Sequence, residues 1–268
     1  MSYRISAAKL TTYQSCPAQY QFRYEFKIPG FGFGGAGFGR SLHAALTRIY
    51  RDWDYATLQK PGLSWIDACW TQEISALNEG QIAEGYEILT RYFQDWIAPR
   101  DRFLKPLATE GKIQGRLQVS DLEFILSGRF DRLDWFDVDA LELVEYKTSR
   151  QFVEPNINSL TVQVGLYALA INQQWAKELK YVTLIFLRPG EFVRIPVTEE
   201  QLTIAQKTIS DLAMRLRTDD QWEPTPGDHC DRCNYKQYCP AQTDRPEPIP
   251  NRQSSQSVLQ LSLKIEPN

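Results

Sequence analysis

The chain has no run of eighteen apolar residues, and its start, MSYRISAAKL, carries no apolar h-region. Neither a membrane-spanning helix nor a secretory signal is expected, and the reading is of a cytoplasmic protein. Positive charge is also short: 30 Lys and Arg stand against 33 Asp and Glu, a net −3. There is then no global electrostatic case for nucleic-acid binding, and any such surface has to be local. Histidine is scarce, with two residues, and no internal repeat is visible. What is present is a 268-residue chain, 43% hydrophobic and 12% aromatic. That composition argues against disorder over most of the length and fits one large domain, or one domain with a helical insertion.

The five cysteines are unevenly placed. Cys16 lies near the start, and Cys230, Cys233 and Cys239 form C-x2-C-x5-C near the other end, followed by Pro240. Three thiols in so short a stretch can converge on one point, and a fourth from the far end completes the set that a structural zinc or a [4Fe–4S] cluster requires. In a reducing compartment such a cluster reads as metal ligands rather than disulfides. Treated like a cross-link, the closure of so long a loop contributes roughly 5 kcal/mol. Cys69 lies between Ala68 and Trp70 in a helical stretch and reads as a small core residue.

Along the chain, Leu10, Tyr13, Cys16, Tyr20 and Tyr24 recur at helical spacing, predicting a helix over 6–26 interrupted near Pro17. A glycine-rich loop follows at 31–39, then a helix from Arg40. Gly32, Gly34 and Gly37 spell G-x-G-x-x-G, and Gly34 to Ser41 nearly spell a Walker A loop. Neither follows a buried strand, and Arg40 stands where Walker A needs Lys, so nucleotide binding is not expected. Residues 65–97 are helical in period. Strands are predicted at 113–119, 123–135, 140–147, 181–187 and 192–197, with helices at 159–175 and 199–217. The order is α/β with a mixed sheet, and the Pro-, Ser- and Gln-rich tail from Gln242 is expected to be disordered.

Charged residues stand where apolar ones are expected. On the strand Ala140 to Lys147, Leu141, Leu143, Glu145 and Lys147 share a face, so an acid and an amine continue a buried row. That is costly unless they pair or bind a metal. A solvated pair at a sheet end is the alternative. The hairpin partner brings Asp131 alongside Glu145, and two carboxylates with a lysine form a hard-metal site with a neighbouring cation, suited to phosphodiester hydrolysis. Lysine there can orient the nucleophile or offset charge in the transition state.

Asp131, Glu145 and Lys147, spelling D-x(n)-E-x-K, resemble the PD-(D/E)XK nuclease superfamily. Gln163 and Tyr167 match the Q-x3-Y pair of its RecB-like branch, and Gly39 to His43 match G-x3-H. The acid sits in R-F-D-R rather than P-D, as is common in that branch. The resemblance implies a restriction-endonuclease-like α/β core in one domain over 1–241, with a helical insertion at about 62–98 and a cysteine segment at about 228–240. It implies catalytic roles for Asp131, Glu145, Lys147, Gln163 and Tyr167, and a Mg2+ or Mn2+ held by His43, Asp131, Glu145 and the Tyr146 carbonyl. Glu110 corresponds to an accessory acid in some relatives. The four-cysteine layout is similar to that of the iron-sulfur subset, which includes CRISPR-associated and RecB-family exonucleases. It implies a [4Fe–4S] cluster on Cys16, Cys230, Cys233 and Cys239 that joins the termini.

Of the cations that could track phosphates, Arg23, Arg40, Arg129, Arg132 and Arg150, three stand out. Arg129 and Arg132 flank Asp131, and Arg150 follows the E-x-K strand. The expected function is a metal-dependent DNA exonuclease on single-stranded or frayed ends, in repair, recombination or CRISPR adaptation, with a helicase or integrase as partner. Two rivals are a non-catalytic DNA-end-binding subunit of such a complex and a zinc or redox protein centred on the cysteines.

Overall fold

In the computed structural model, which describes residues 3–30, 36–155 and 157–250, the longest strand organises the rest. β3 (Leu122–Asp137) pairs antiparallel along one edge with β2 (Ala108–Val119), from Ala108 opposite Leu133 to Val119 opposite Leu122. Its other edge is shared. β1 (Tyr3–Ile5) runs parallel to Phe124–Leu126, and β4 (Ala140–Lys147) runs antiparallel to Arg132–Asp137. Between Leu126 and Arg132 that edge has no strand partner among the described residues, so the sheet forks there. β5 (Glu178–Phe186) lies parallel to β4, and β6 (Glu191–Pro196) closes the six-stranded mixed sheet antiparallel to β5.

A parallel β4–β5 pair needs a crossover, which α6 (Ile157–Trp175) supplies. Together with α1 (Ala7–Ser15) and α7 (Glu199–Thr218) it covers one face, against Leu126, Phe130, Leu141 and Leu143. The other face is covered over Val144, Tyr146 and Ile185 by α3 (Ala36–Arg51), α4 (Leu63–Thr71) and α5 (Glu79–Tyr92). β4 is therefore buried on both faces. A smaller apolar cluster joins Cys16, the short α2 (Pro17–Tyr20) and Phe22 to Tyr235 and Cys239. β2 is an edge strand, and α6 blunts it: Gln173 accepts from the Arg116 amide at 2.7 Å and donates to its carbonyl at 2.8 Å, in place of a further strand.

The break expected near Pro17 is present: the first helix ends at Cys16, whose backbone is extended at φ −161°, and a new one starts with Pro17 at its first position. Elsewhere the structure departs from the sequence expectations. The helical period over 65–97 hides a break between Thr71 and Glu79, where Asn78 and Gln81 form a capping box. Helix α3 starts at Ala36, so Gly37 and Gly39 are helical, while residues 31–35 of the expected glycine loop lie outside the described residues. The short β1 has too few residues to show a period. Of the expected tail, residues 242–250 are mostly exposed but anchored at points: the Glu247 amide donates to the Gln237 carbonyl at 2.7 Å and Ile249 packs on the cysteine cluster. Residues 251–268 lie outside the described residues.

Candidate metal and nuclease site

The fork in β3 is where the sequence-predicted residues meet. With no strand beside it, Asp131 turns its carboxylate into the gap, and the Tyr146 amide of β4 donates to Asp131 Oδ2 at 2.7 Å. Helix α3 comes close from the other side. A Cβ on Gly39 would stand 2.9 Å from Thr148 Oγ1, just past β4, so glycine permits the approach. One turn later His43 Nδ1 lies 3.1 Å from Asp131 Oδ1. Glu110 of β2, opposite this point, has φ +49°, a left-handed conformation that non-glycine residues rarely adopt and that concentrates at functional sites. His43, Glu110 and Asp131 each offer a ligand atom within 4.8 Å of the others. Burial works to lower the His43 pKa, but the Asp131 hydrogen bond and the charges of Asp131, Glu110 and Glu145 outweigh it and hold it above the ordinary histidine value.

Glu145 is 8% exposed. Its Oε2 lies 3.3 Å from Lys147 Nζ, and among the described residues its buried Oε1 has no hydrogen-bond partner. Burial pushes the Glu145 carboxyl up, the Lys147 charge opposes this, and repulsion from Asp131 adds to it. A partnerless buried carboxylate oxygen fits a cation, because a metal would repay its desolvation. On α6, Tyr167 closes the fork: its hydroxyl donates to the Arg129 carbonyl at 2.6 Å, and Gln163, one turn earlier, hydrogen-bonds the tyrosine. Gly128 makes room, since a Cβ there would be 2.8 Å from the Tyr167 ring. Burial, then the Glu145 charge, raises the Tyr167 pKa, so the hydroxyl stays protonated and a donor. The Tyr146 ring turns to the opposite face and packs with Tyr92.

Cys16, Cys230, Cys233 and Cys239 line one pocket beside Phe22 and Pro224. All are free thiols, and the Thr225 amide points at Cys16 Sγ from 3.5 Å. Burial, then the neighbouring cysteines, raises the Cys233 pKa, apart from one opposing backbone hydrogen bond. Cys69 is a buried helix residue, its thiol pushed up to about 12 by burial.

Arg132 does not belong with the phosphate-tracking cations. It is 2% exposed, its Nε bonds Asp134 at 2.9 Å, its Nη1 bonds the hydroxyls of Tyr92 at 2.7 Å and Tyr146 at 2.5 Å, and its guanidinium lies over the Tyr50 ring at 4.0 Å. It is a buried strut behind the site, and sequence position alone could not reveal this because its tyrosine partners come from three separate elements. Arg129 and Arg150 are exposed, and Arg129 Nη2 pairs with Glu110 at 3.3 Å.

The family described as PD-(D/E)XK nuclease superfamily matches residues 4–240. CRISPR-associated exonuclease Cas4 of Francisella tularensis subsp. novicida (strain U112) is 30% identical over 126 residues, 46% of this chain. The chain thus spans 60% of the length of that curated relative. A solved structure described as "Putative exonuclease" from Eubacterium rectale superposes with a TM-score of 0.52 at 11% identity, over 87% of each chain, a likeness of fold. From the first strand of the sheet to the last cysteine, the chain belongs to the PD-(D/E)XK nuclease superfamily.

Proposed function

We propose that this nuclease is a divalent-metal-dependent deoxyribonuclease that trims DNA from a free, single-stranded or frayed end. The observation that carries the reading is the convergence of His43, Glu110 and Asp131 beside Glu145, whose buried oxygen has no partner, and Lys147. Carboxylates with one imidazole suit Mg2+ or Mn2+. His43, Asp131, Glu145 and the Tyr146 carbonyl would hold the ion, with Glu110 as accessory acid. Bound there, the ion would polarise the phosphate and lower the pKa of its water. Lys147 would orient the attacking water and offset the charge that grows on the phosphate. Gln163 and Tyr167 hold the backbone at Arg129, and so keep Asp131 in its orientation.

The four cysteines would hold a [4Fe–4S] cluster. The meeting of all four cysteines from both ends of the chain at one pocket supports a metal group there, and the likeness to the iron-sulfur subset favours the cluster over zinc. Likeness to a CRISPR-associated exonuclease favours a role in spacer acquisition, with an integrase or helicase as partner and repair as the alternative setting.

The test is Mn2+- or Mg2+-dependent cleavage of end-labelled single-stranded DNA by anaerobically purified protein, with Lys147→Ala in parallel. Cleavage that falls by about 10²-fold or more in the variant supports the reading, and the end that shortens gives the polarity. A cluster-loaded wild type that binds DNA ends without cutting would replace it with a non-catalytic end-binding subunit.

A further inference from the structure

Beside the fork, the surface has a character the whole chain lacks. A groove of about 430 Å3 runs from Tyr167 and Gly128 along β3 to the first turn of α1. Its walls carry Arg4, Lys112 and Arg129 with the neutral Gln114 and Ser127, and among the described residues no acidic one lines it, in a chain of net charge −3. The strands explain the placement. Tyr3 and Ile5 turn into the core beneath α1, so Arg4 between them faces solvent. Ile113 turns inward, so Lys112 faces out, directly opposite Arg129 across the β2–β3 ladder. Like charges set opposite each other destabilise a sheet. Glu110 offsets Arg129 alone, at 3.3 Å, and among the described residues neither Arg4 nor Lys112 has an ion pair. A concave wall of one sign focuses its field on an anion. The feature that relieves such a wall is a polyanion whose charges are spaced along it, and the groove ends at the carbonyl of Arg129, two residues from Asp131.

We propose that Arg4 and Lys112, with Arg129, form the bed on which the phosphodiester backbone of the strand being cut lies just outside the cleavage position. This rests on the nuclease reading above and adds two residues that neither the motifs nor the comparisons assign. In the free protein Glu110 holds Arg129 in place at the head of the groove; Arg4 and Lys112 stand open along it. Backbone contacts of this kind set affinity and register without reading sequence.

The experiment is a fluorescence-anisotropy titration of a labelled single-stranded 20-nucleotide oligonucleotide in Ca2+, across a salt series, with cleavage in Mn2+ measured separately. Arg4→Ala/Lys112→Ala is compared with wild type and with Lys60→Ala/Lys207→Ala, which removes two exposed charges elsewhere. Arg4→Glu/Lys112→Glu serves as a second variant. The expected result is a Kd raised about tenfold or more in the groove variants, with the log Kd–log salt slope reduced by about 1.4 for two lost contacts. The control pair should leave both unchanged. Equal affinity and slope for wild type and groove variants, or no oligonucleotide binding by wild type, would overturn the proposal. Wild type that binds through the groove but cuts nothing in Mn2+ would leave the groove standing and remove the nuclease reading.

Discussion

Glu145 shows what a buried carboxylate costs. It is buried, its pKa is pushed up by that burial, and one oxygen is unsatisfied. Glu145→Gln keeps the shape and removes the charge. It should abolish metal-dependent cleavage while raising the stability of the metal-free protein by on the order of 1 kcal/mol, a trade typical of active sites; urea unfolding in EDTA beside a cleavage assay checks both. This residue was legible in the sequence because a strand alternates faces, so an acid in the row of Leu141 and Leu143 had to be buried. Arg132 was not legible in the same way. It shares the motif neighbourhood with Arg129, yet one is buried among tyrosines and the other exposed. The difference lies in what the opposite face of the sheet packs against, which no local spacing encodes.

Among the elements, α3 decides whether His43 meets Asp131. Its approach depends on Gly39, where an added methyl would meet Thr148 at 2.9 Å. Gly39→Ala should gain up to about 1 kcal/mol in helix propensity and lose part of it to that contact. The activity should nevertheless fall, because a displacement of about 1 Å at a positioning element costs about 10²-fold. Gly39→Ala/Thr148→Ala should recover most of the activity, and cleavage rates of the single and double variants decide it. Long periodic helices such as α6 and α7 were readable from their apolar faces. The break at Thr71–Glu79 was not, because the apolar spacing continues across it while Asn78 starts a new helix. The extent of β2 and β3 was underestimated for a related reason: the added residues, 108–112 of β2 against 129–133 of β3 and Asp137 of β3 against Ala140 of β4, are half-buried or exposed where they were missed, so the alternation fades before the pairing does.

Across the whole molecule, the two ends of the chain are tied together twice. Tyr13 of α1 donates to Asp219 Oδ2 at 2.8 Å, at the end of α7. Burial alone would raise the Asp219 pKa, but the amides of Trp222 and Gln221, the Tyr13 hydroxyl and Arg215 hold it below the usual carboxylate value. A depressed folded pKa contributes stability that is complete above about pH 4 and is lost as pH falls through the lowered value. Asp219→Asn should therefore cost up to about 1 kcal/mol at pH 7, less for its partial exposure, and close to nothing near pH 2. Urea midpoints at the two pH values measure this. The second tie is the cysteine cluster. If it holds the proposed iron-sulfur cluster, Cys16→Ala should lower iron and sulfide content together and reduce stability by up to roughly 5 kcal/mol, as loop closure over most of the chain predicts. Thermal unfolding of anaerobic protein beside metal analysis tests it.

The motif residues, the α/β order and the pairing of Cys16 with a distant C-terminal trio could all be read without coordinates, because each rests on residue type and short-range periodicity, which are local. The fork in β3, the left-handed Glu110, the buried strut of Arg132 and the cationic wall of Arg4 and Lys112 needed the folded chain. Each arises where segments far apart in sequence come together, and there a side chain's meaning is set by its neighbours in space.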